Sequence, residues 1–223
     1  MNQGAKRHAL SERGNDLYES PACAPAALLL HEPLVKLADA VWEPCAGRGA
    51  ISRVLKAAGK QVLSQDLVAY EGADADVQPG VDFFKTRKAP FRDALIITNP
   101  PFMHADDFIL RGIELGCDVI VLLRLMVQEG VDGKHKGSGV RSKLIDENLV
   151  RVWLGRERLP MMHREGWTGP KIKGGKSGAP FAWFVFEARP HASDQGYVTR
   201  RISWRVPVPR AETDLFAGAE GWL

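Results

Sequence analysis

A run of apolar, mostly β-branched residues, Ala94-Leu95-Ile96-Ile97-Thr98, ends in Asn99-Pro100-Pro101-Phe102. No other stretch constrains the fold of this chain as strongly. The run reads as a buried strand of a parallel sheet. Neither proline has an N–H to donate, so the ladder stops there. Asn99 precedes a proline and is biased to an extended backbone. A rigid turn therefore lies just past the carboxyl end of a strand, where open α/β sheets bind their ligands. It presents one side-chain amide, the carbonyls of Pro100 and Pro101, and the ring of Phe102. An amide oxygen and a carbonyl can together grip one –NH2 group while a phenyl ring stacks on the planar ring that bears it. Taken alone, the tetrapeptide reads equally well as an Asn-Pro turn with a buried Phe. The rest of the chain decides between the two.

Similar punctuation recurs along the sequence. Ala40-Val41-Trp42, Gln61 to Asp66, Asp118 to Leu123, Leu149 to Leu154 and Pro180 to Phe186 read as further strands. Between them, Ala50 to Ala58 reads as a helix closed by Gly59, Met103 to Gly116 as a second, and Arg141 to Asn148 as a third. Ala22 to Ala40 reads as helical and split at Pro33, with Ser20 as a cap and Pro21 at the first helical position. Arg200 to Val206 alternates like a strand with a basic face. Strands alternating with helices predict an α/β fold: a doubly wound, mostly parallel, Rossmann-like sheet with helices on both faces.

The first strand runs into Glu43-Pro44-Cys45-Ala46-Gly47-Arg48-Gly49. Strand, Gly-rich turn and helix form the phosphate- or cofactor-binding corner of a nucleotide-binding sheet. The third glycine of a dinucleotide fingerprint is missing, and no Gly-Lys-Ser/Thr follows. That excludes a P-loop and speaks against NAD. Asp66 ends the next strand, where an acid suits the two hydroxyls of a ribose. Asp82 beside Phe83 offers a carboxylate and an apolar wall, which together suit an adenine ring. Alone, it reads as an Asp turn with core phenylalanines.

At 223 residues the chain is expected to form one domain with additions. The boundaries are a mobile arm at 1–17, a single domain at 18–206 and a C-terminal tail at 207–223. No apolar run approaches the ~18–20 residues that span a bilayer, and the N-terminus lacks a signal-peptide pattern. Cytoplasmic location, without membrane contact, is the expectation. Cys23, Cys45 and Cys117 are three in number and far apart. They predict reduced thiols and no structural metal. A net charge of +3 permits a nucleic-acid partner without demanding one.

Two stretches, 130–143 and 155–180, are loop-like, Gly-rich and basic. Lys134, Lys136, Arg141 and Lys143 fall in or at the edge of the first. Arg164, Lys171, Lys173 and Lys176 fall in the second, with Trp167 interleaved. Such loops suit a phosphate backbone as readily as they suit solvent.

Together these motifs resemble the class I S-adenosylmethionine-dependent methyltransferases, and within them the amino-methylating branch that includes phage and prophage-like N6-adenine DNA methyltransferases. The resemblance covers roughly residues 18–190. It implies that Glu43, Pro44, Cys45, Ala46, Gly47 and Gly49 form the S-adenosylmethionine loop. Asp66, with Leu67 beside it, is implied as the ribose acid, and Asp82 and Phe83 as the adenine contacts. Tyr18, Ser20 and Pro21 resemble the segment that closes over the methionine end. Asn99, Pro100, Pro101 and Phe102 match the catalytic motif, with Asn99 also touching the cofactor. The implied reaction is direct methyl transfer to the N6 amine of adenine in nucleic acid, DNA before RNA. No separate target-recognition domain is evident, so low sequence specificity, or a substrate other than long duplex DNA, is expected.

The same motif also serves methylation of RNA adenine and of a protein glutamine amide, because each presents a planar –NH2. The basic loops favour nucleic acid over a protein glutamine. A nucleic-acid-binding protein that keeps the fold without turnover, and a small-molecule methyltransferase, are the remaining alternatives. The intact Gly47, Gly49, Asp66 and Asn99 weigh against the former, and the basic loops against the latter. Oligomeric state is not legible in the sequence.

Overall fold

Among the described residues, seven strands form one sheet in the order β2-β1-β3-β4-β6-β5-β7. The computed structural model describes residues 17–128, 138–159, 161, 179–191 and 195–210. In chain order the helices are α1 (Cys23–His31), α2 (Pro33–Leu37), α3 (Ala50–Ala57), α4 (Ala105–Glu114) and α5 (Ser138–Glu147). The strands are β1 (Ala40–Glu43), β2 (Gln61–Ser64), β3 (Leu95–Thr98), β4 (Asp118–Arg124), β5 (Leu149–Gly155), β6 (Phe181–Phe186) and β7 (Val198–Ile202). Strands β1 to β4 are mutually parallel. Strand β6 runs against both β4 and β5, and β7 is parallel to β5. Six strands thus share one direction and only β6 is reversed, the mostly parallel α/β sheet that the sequence predicts.

Period-two alternation divides the core. Val41, Leu95, Ile97, Ile120 and Leu122 face one side, where Leu28, Val35, Ile51 and Leu55 of α1 to α3 cover them. Trp42, Ile96, Val119, Val121 and Leu123 face the other, under Phe108 and Ile109 of α4 and Leu144 of α5. All six residues of β6 are buried, as a strand flanked on both edges and covered on both faces requires.

Some local expectations are corrected. Ser20 does not cap α1: the helix starts at Cys23 behind Ala22, without a side-chain cap, and Pro21 stands outside it. Residues 102–104 form a 3-10 turn before α4. The last strand is shifted to 198–202, and its first four residues are all exposed rather than alternating. It is an edge strand with a partner on one side only, and within it only Ile202 is buried. The N-terminal arm up to residue 16, residues 129–137, most of 160–178 and the tail from 211 lie outside the described residues. Lys134, Lys136, Arg164, Trp167, Lys171, Lys173 and Lys176 lie there too.

Among the described residues, no helix is long and apolar enough to cross a membrane. No group of three or more His, Cys, Asp or Glu side chains among them could hold a metal.

Candidate active site

From β1 the chain passes to β2 on one side and then returns to β3 on the other. The loops leaving the carboxyl ends of β1 and β3 therefore diverge and leave a crevice between them. A cavity of about 420 Å³ occupies it, within the ~300–1,000 Å³ usual for small-molecule sites.

The loop after β1 forms its floor. Gly47 has φ +58°, in the left-handed region. A Cβ there would lie 2.6 Å from Cδ1 of Leu17. The Gly47 N–H donates to Oδ2 of Asp66 at 2.8 Å, and the Val68 N–H donates to Oδ1 at 2.8 Å. Asp66 is only 4% exposed, and its burial raises the carboxyl above its ordinary value although these N–H bonds pull it down. The acid expected to hold a ribose therefore also ties the glycine loop to the end of β2. Each carboxylate oxygen retains a second lone pair for a ligand hydroxyl.

Beneath the loop lies a polar network. Glu43, fully enclosed, accepts from the Ser52 hydroxyl, which lies 2.6 Å from the Ser64 hydroxyl, to which Lys56 donates at 3.1 Å. Burial pushes the Glu43 carboxyl up to about 8, against the lowering effect of the Ser52 hydrogen bonds. Burial likewise pushes the Cys45 thiol well up, aided by the charges of Asp66 and Glu43, so it is no nucleophile at neutral pH.

The wall opposite is aromatic. Phe83 is buried, stacked on Phe108 with ring centroids 5.0 Å apart and edge-on to Trp42 at 5.1 Å. Asp82 accepts from the Phe84 N–H at 3.1 Å, and Lys85 lies 3.1 Å from its carboxylate. Lys85 is the main reason the Asp82 carboxyl is held below its ordinary value.

Asn99 closes the crevice at the end of β3. Its Nδ2 donates to the Tyr18 carbonyl at 2.9 Å. Only the nitrogen can donate to a carbonyl, so Oδ1 is the remaining end. That atom is buried and has no hydrogen-bond partner among the described residues. The Pro101 carbonyl is engaged by the His104 N–H at 2.9 Å, whereas no described group donates to the Pro100 carbonyl. The two-carbonyl expectation thus reduces to Pro100. An unpartnered buried acceptor beside a free carbonyl is an arrangement that calls for a ligand donor.

Phe102 faces elsewhere. Its ring lies 5.4 Å from Tyr18 and 5.9 Å from Phe181, and the Arg124 guanidinium sits 4.9 Å from its centroid. It opens on a second cavity of about 280 Å³, bounded also by Met126, Val127 and Arg141. The Asn-Pro-Pro-Phe turn therefore stands between two cavities.

The sequence-derived cofactor set largely converges. Tyr18, Ser20, Glu43, Pro44, Cys45, Ala46 and Gly47 line the first cavity, as do Asp66, Leu67, Asp82, Phe83, Asn99 and Pro101. Pro21, Gly49, Pro100 and Phe102 do not line it. Gly49 instead leads into α3 at φ +88°, and a Cβ there would lie 2.6 Å from Asp74. Arg141 is not free for a phosphate, because its guanidinium is bidentate with Asp106 at 2.8–3.0 Å. Lys143 is exposed, 3.9 Å from Glu147. The sequence reading missed Leu17, Arg48, Tyr70, His104 and Phe108, which also line the cavity. Arg48 alone carried a signal, between the two glycines; it is paired with Glu19 at 3.3 Å.

No family profile matches the chain, and no curated protein is similar to it in sequence. Solved structures do match. A proposed RNA methyltransferase from Pyrococcus horikoshii is 18% identical with a TM-score of 0.50, over 77% of this chain and 87% of that one. The chain shares the α/β fold of that structure. A modification subunit of a proposed type I restriction enzyme from Vibrio vulnificus matches with a TM-score of 0.49 and 12% identity, over 91% of this chain and 51% of that one. This chain spans about half the length of that subunit. An O-methyltransferase predicted from Agrobacterium tumefaciens matches with a TM-score of 0.48 and 13% identity, over 82% of this chain and 86% of that one.

Proposed function

We propose that this chain binds S-adenosylmethionine in the crevice between β1 and β3 and methylates the exocyclic N6 amine of adenine in DNA, with low sequence specificity. The observation that carries this reading is the Oδ1 atom of Asn99, buried and without a partner among the described residues, next in the chain to the Pro100 carbonyl, to which no described group donates.

The cavity suits the cofactor on its own chemistry. Gly47 leaves room for close approach, Asp66 keeps lone pairs for ribose hydroxyls, and Asp82 with Phe83 supplies an acceptor and an apolar wall for adenine. The carboxyl groups of Asp66 and Asp82 border a site suited to a sulfonium cation. When bound, S-adenosylmethionine supplies an electrophilic methyl group.

The protein's part is to make the amine a nucleophile. The lone pair of an aromatic amine is delocalised into its ring. Hydrogen bonds from the two N6 hydrogens to Asn99 Oδ1 and the Pro100 carbonyl draw the nitrogen towards tetrahedral geometry. They also stabilise the positive charge that develops there. On transfer the methyl carbon would exchange its bond to the sulfonium sulfur for one to N6, leaving S-adenosylhomocysteine, and N6 would release one proton to water. Phe102 stacks on the base once the Arg124 guanidinium yields the ring face. Holding both reactants on one rigid turn supplies proximity. His104 is exposed, its Nδ1 3.7 Å from Asp107, and no general base is required. In duplex DNA the base must first leave the stack, at a cost of a few kcal/mol.

The test uses methyl-labelled S-adenosylmethionine and an oligodeoxynucleotide with one adenine, compared with the same strand carrying purine there. Label on the adenine strand and none on the purine strand is the expected result. Equal labelling of both would refute N6 as the acceptor.

A further inference from the structure

The carboxyl end of the sheet changes character along its length. Around β1 and β2 it is acidic, with Glu43 and Asp66 at the cavity. Beyond β3 it is cationic. Arg124 is the last residue of β4. Arg156 and Arg158 follow the end of β5, and Arg205 follows β7. The register sets these strand ends side by side. Arg124 is opposite Phe181 at the start of β6, Leu154 is opposite Ala182, and Gly155 is opposite Ile202. The Arg156 N–H donates to the Ile202 carbonyl at 2.8 Å, so the pairing of β5 and β7 continues past their ends.

All four arginines are exposed, and among the described residues none is in an ion pair. Glu157, their neighbour in sequence, is turned to the protein instead: its carboxylate accepts from the Ser203 hydroxyl at 3.1 Å and the Trp204 N–H at 3.2 Å. Strands lie about 4.8 Å apart, so the rim from β4 to β7 covers about 14 Å. It begins one strand from Asn99, where Arg124 lies over Phe102. A row of guanidinium groups without carboxylate partners among the described residues is self-repelling. Its complement is a chain of regularly spaced anions that each accept the planar fork of an arginine, which describes phosphodiesters.

We propose that this arginine rim carries the sugar-phosphate backbone of the strand whose base reaches Asn99. The strand enters over Phe102 and Arg124 and runs past Arg156 and Arg158 to Arg205. The rim rests on the reading of this chain as an enzyme acting on nucleic acid. It assigns the backbone path to strand ends fixed by the sheet, not to the basic loops alone.

The test measures binding of fluorescein-labelled oligothymidylate, which offers no adenine, by anisotropy over a range of KCl concentrations. S-adenosylhomocysteine binding is followed by calorimetry. A variant with Arg156→Ser, Arg158→Ser and Arg205→Ser is compared with wild type. A control, Arg87→Ser, Lys88→Ser and Arg92→Ser, loses the same charge from the segment leading into β3. The rim variant is expected to bind on the order of tenfold more weakly near 0.1 M KCl, with the salt slope reduced by about 2. The control is expected to bind like wild type, and all three proteins to bind S-adenosylhomocysteine equally. If the rim variant matches wild type in affinity and slope, or the control loses as much, the rim is not the path and the proposed reaction stands. If wild type binds S-adenosylhomocysteine but neither oligothymidylate nor oligouridylate, measured alongside it, the nucleic-acid reading fails and the rim falls with it.

Discussion

The side-chain nitrogen of Asn99 donates to the main-chain carbonyl of Tyr18 at 2.9 Å, across 81 residues of sequence. One amide thus ties the entry segment to the end of β3 and leaves its oxygen as the free acceptor. The two roles are separable. Asn99→Ala removes the acceptor, and methyl transfer should fall at least 100-fold, roughly the scale of losing a positioned transition-state partner. Asn99→Asp keeps the acceptor and loses the donor. It should retain more activity than the alanine variant but bind S-adenosylmethionine about 3–10-fold more weakly, the worth of one net hydrogen bond. Steady-state kinetics beside calorimetric cofactor binding tells these apart.

In the proposed reading, Gly47 sets the approach of the backbone to S-adenosylmethionine. Its φ of +58° disfavours any L side chain, and a Cβ would meet Leu17 at 2.6 Å. Gly47→Ala carries about 1–2 kcal/mol of backbone strain. S-adenosylhomocysteine should bind about tenfold or more weakly, with a lowered melting temperature. Unchanged affinity by calorimetry would show that the loop does not contact the cofactor.

Phe102 lies outside the first cavity, proposed to hold the cofactor, and opens on the second one. Phe102→Ala should therefore leave S-adenosylhomocysteine affinity within a few fold of wild type. It should cut kcat/KM for a nucleic-acid substrate by about 5–150-fold, since stacking on a base is worth about 1–3 kcal/mol. Loss of cofactor binding without loss of transfer would contradict the assignment.

Glu43 makes stability depend on pH. Its carboxyl is raised to about 8 in the fold and returns to about 4 on unfolding. Between those values the native state holds the extra proton, so stability is fully present below about pH 4 and declines as pH rises towards 8. Urea midpoints of the wild type should fall between about pH 5 and pH 8 more steeply than those of Glu43→Gln. Parallel slopes in the two proteins would assign the dependence to other groups.

Strands β3, β4 and β6 were legible because each is a short apolar run closed by a turn or a charged residue, a signal that burial on both faces of a sheet imposes. The glycine loop and the Asn99 turn were legible because glycine and proline restrict the backbone locally, whatever surrounds them. Pairings across long sequence separations were not. Arg141 reads as a free cation in the sequence, whereas the fold sets Asp106, 35 residues earlier, against its guanidinium. Nothing local marks Glu32 as the buried partner of Arg151 and Trp153. Asp66 is legible as an acid at a strand end, but its bonds to the Gly47 and Val68 N–H groups depend on the loop conformation. The shift of the last strand to 198–202 reflects pairing with β5, which the basic alternation of 200–206 does not encode.

The most direct test of the central claim supplies purified protein and methyl-labelled S-adenosylmethionine to unmethylated duplex DNA, single-stranded DNA and RNA in parallel, followed by digestion to nucleosides. The account predicts label in N6-methyldeoxyadenosine, spread over many sequence contexts. Label only in RNA nucleosides, or on no nucleic acid while the cofactor is bound, would contradict it.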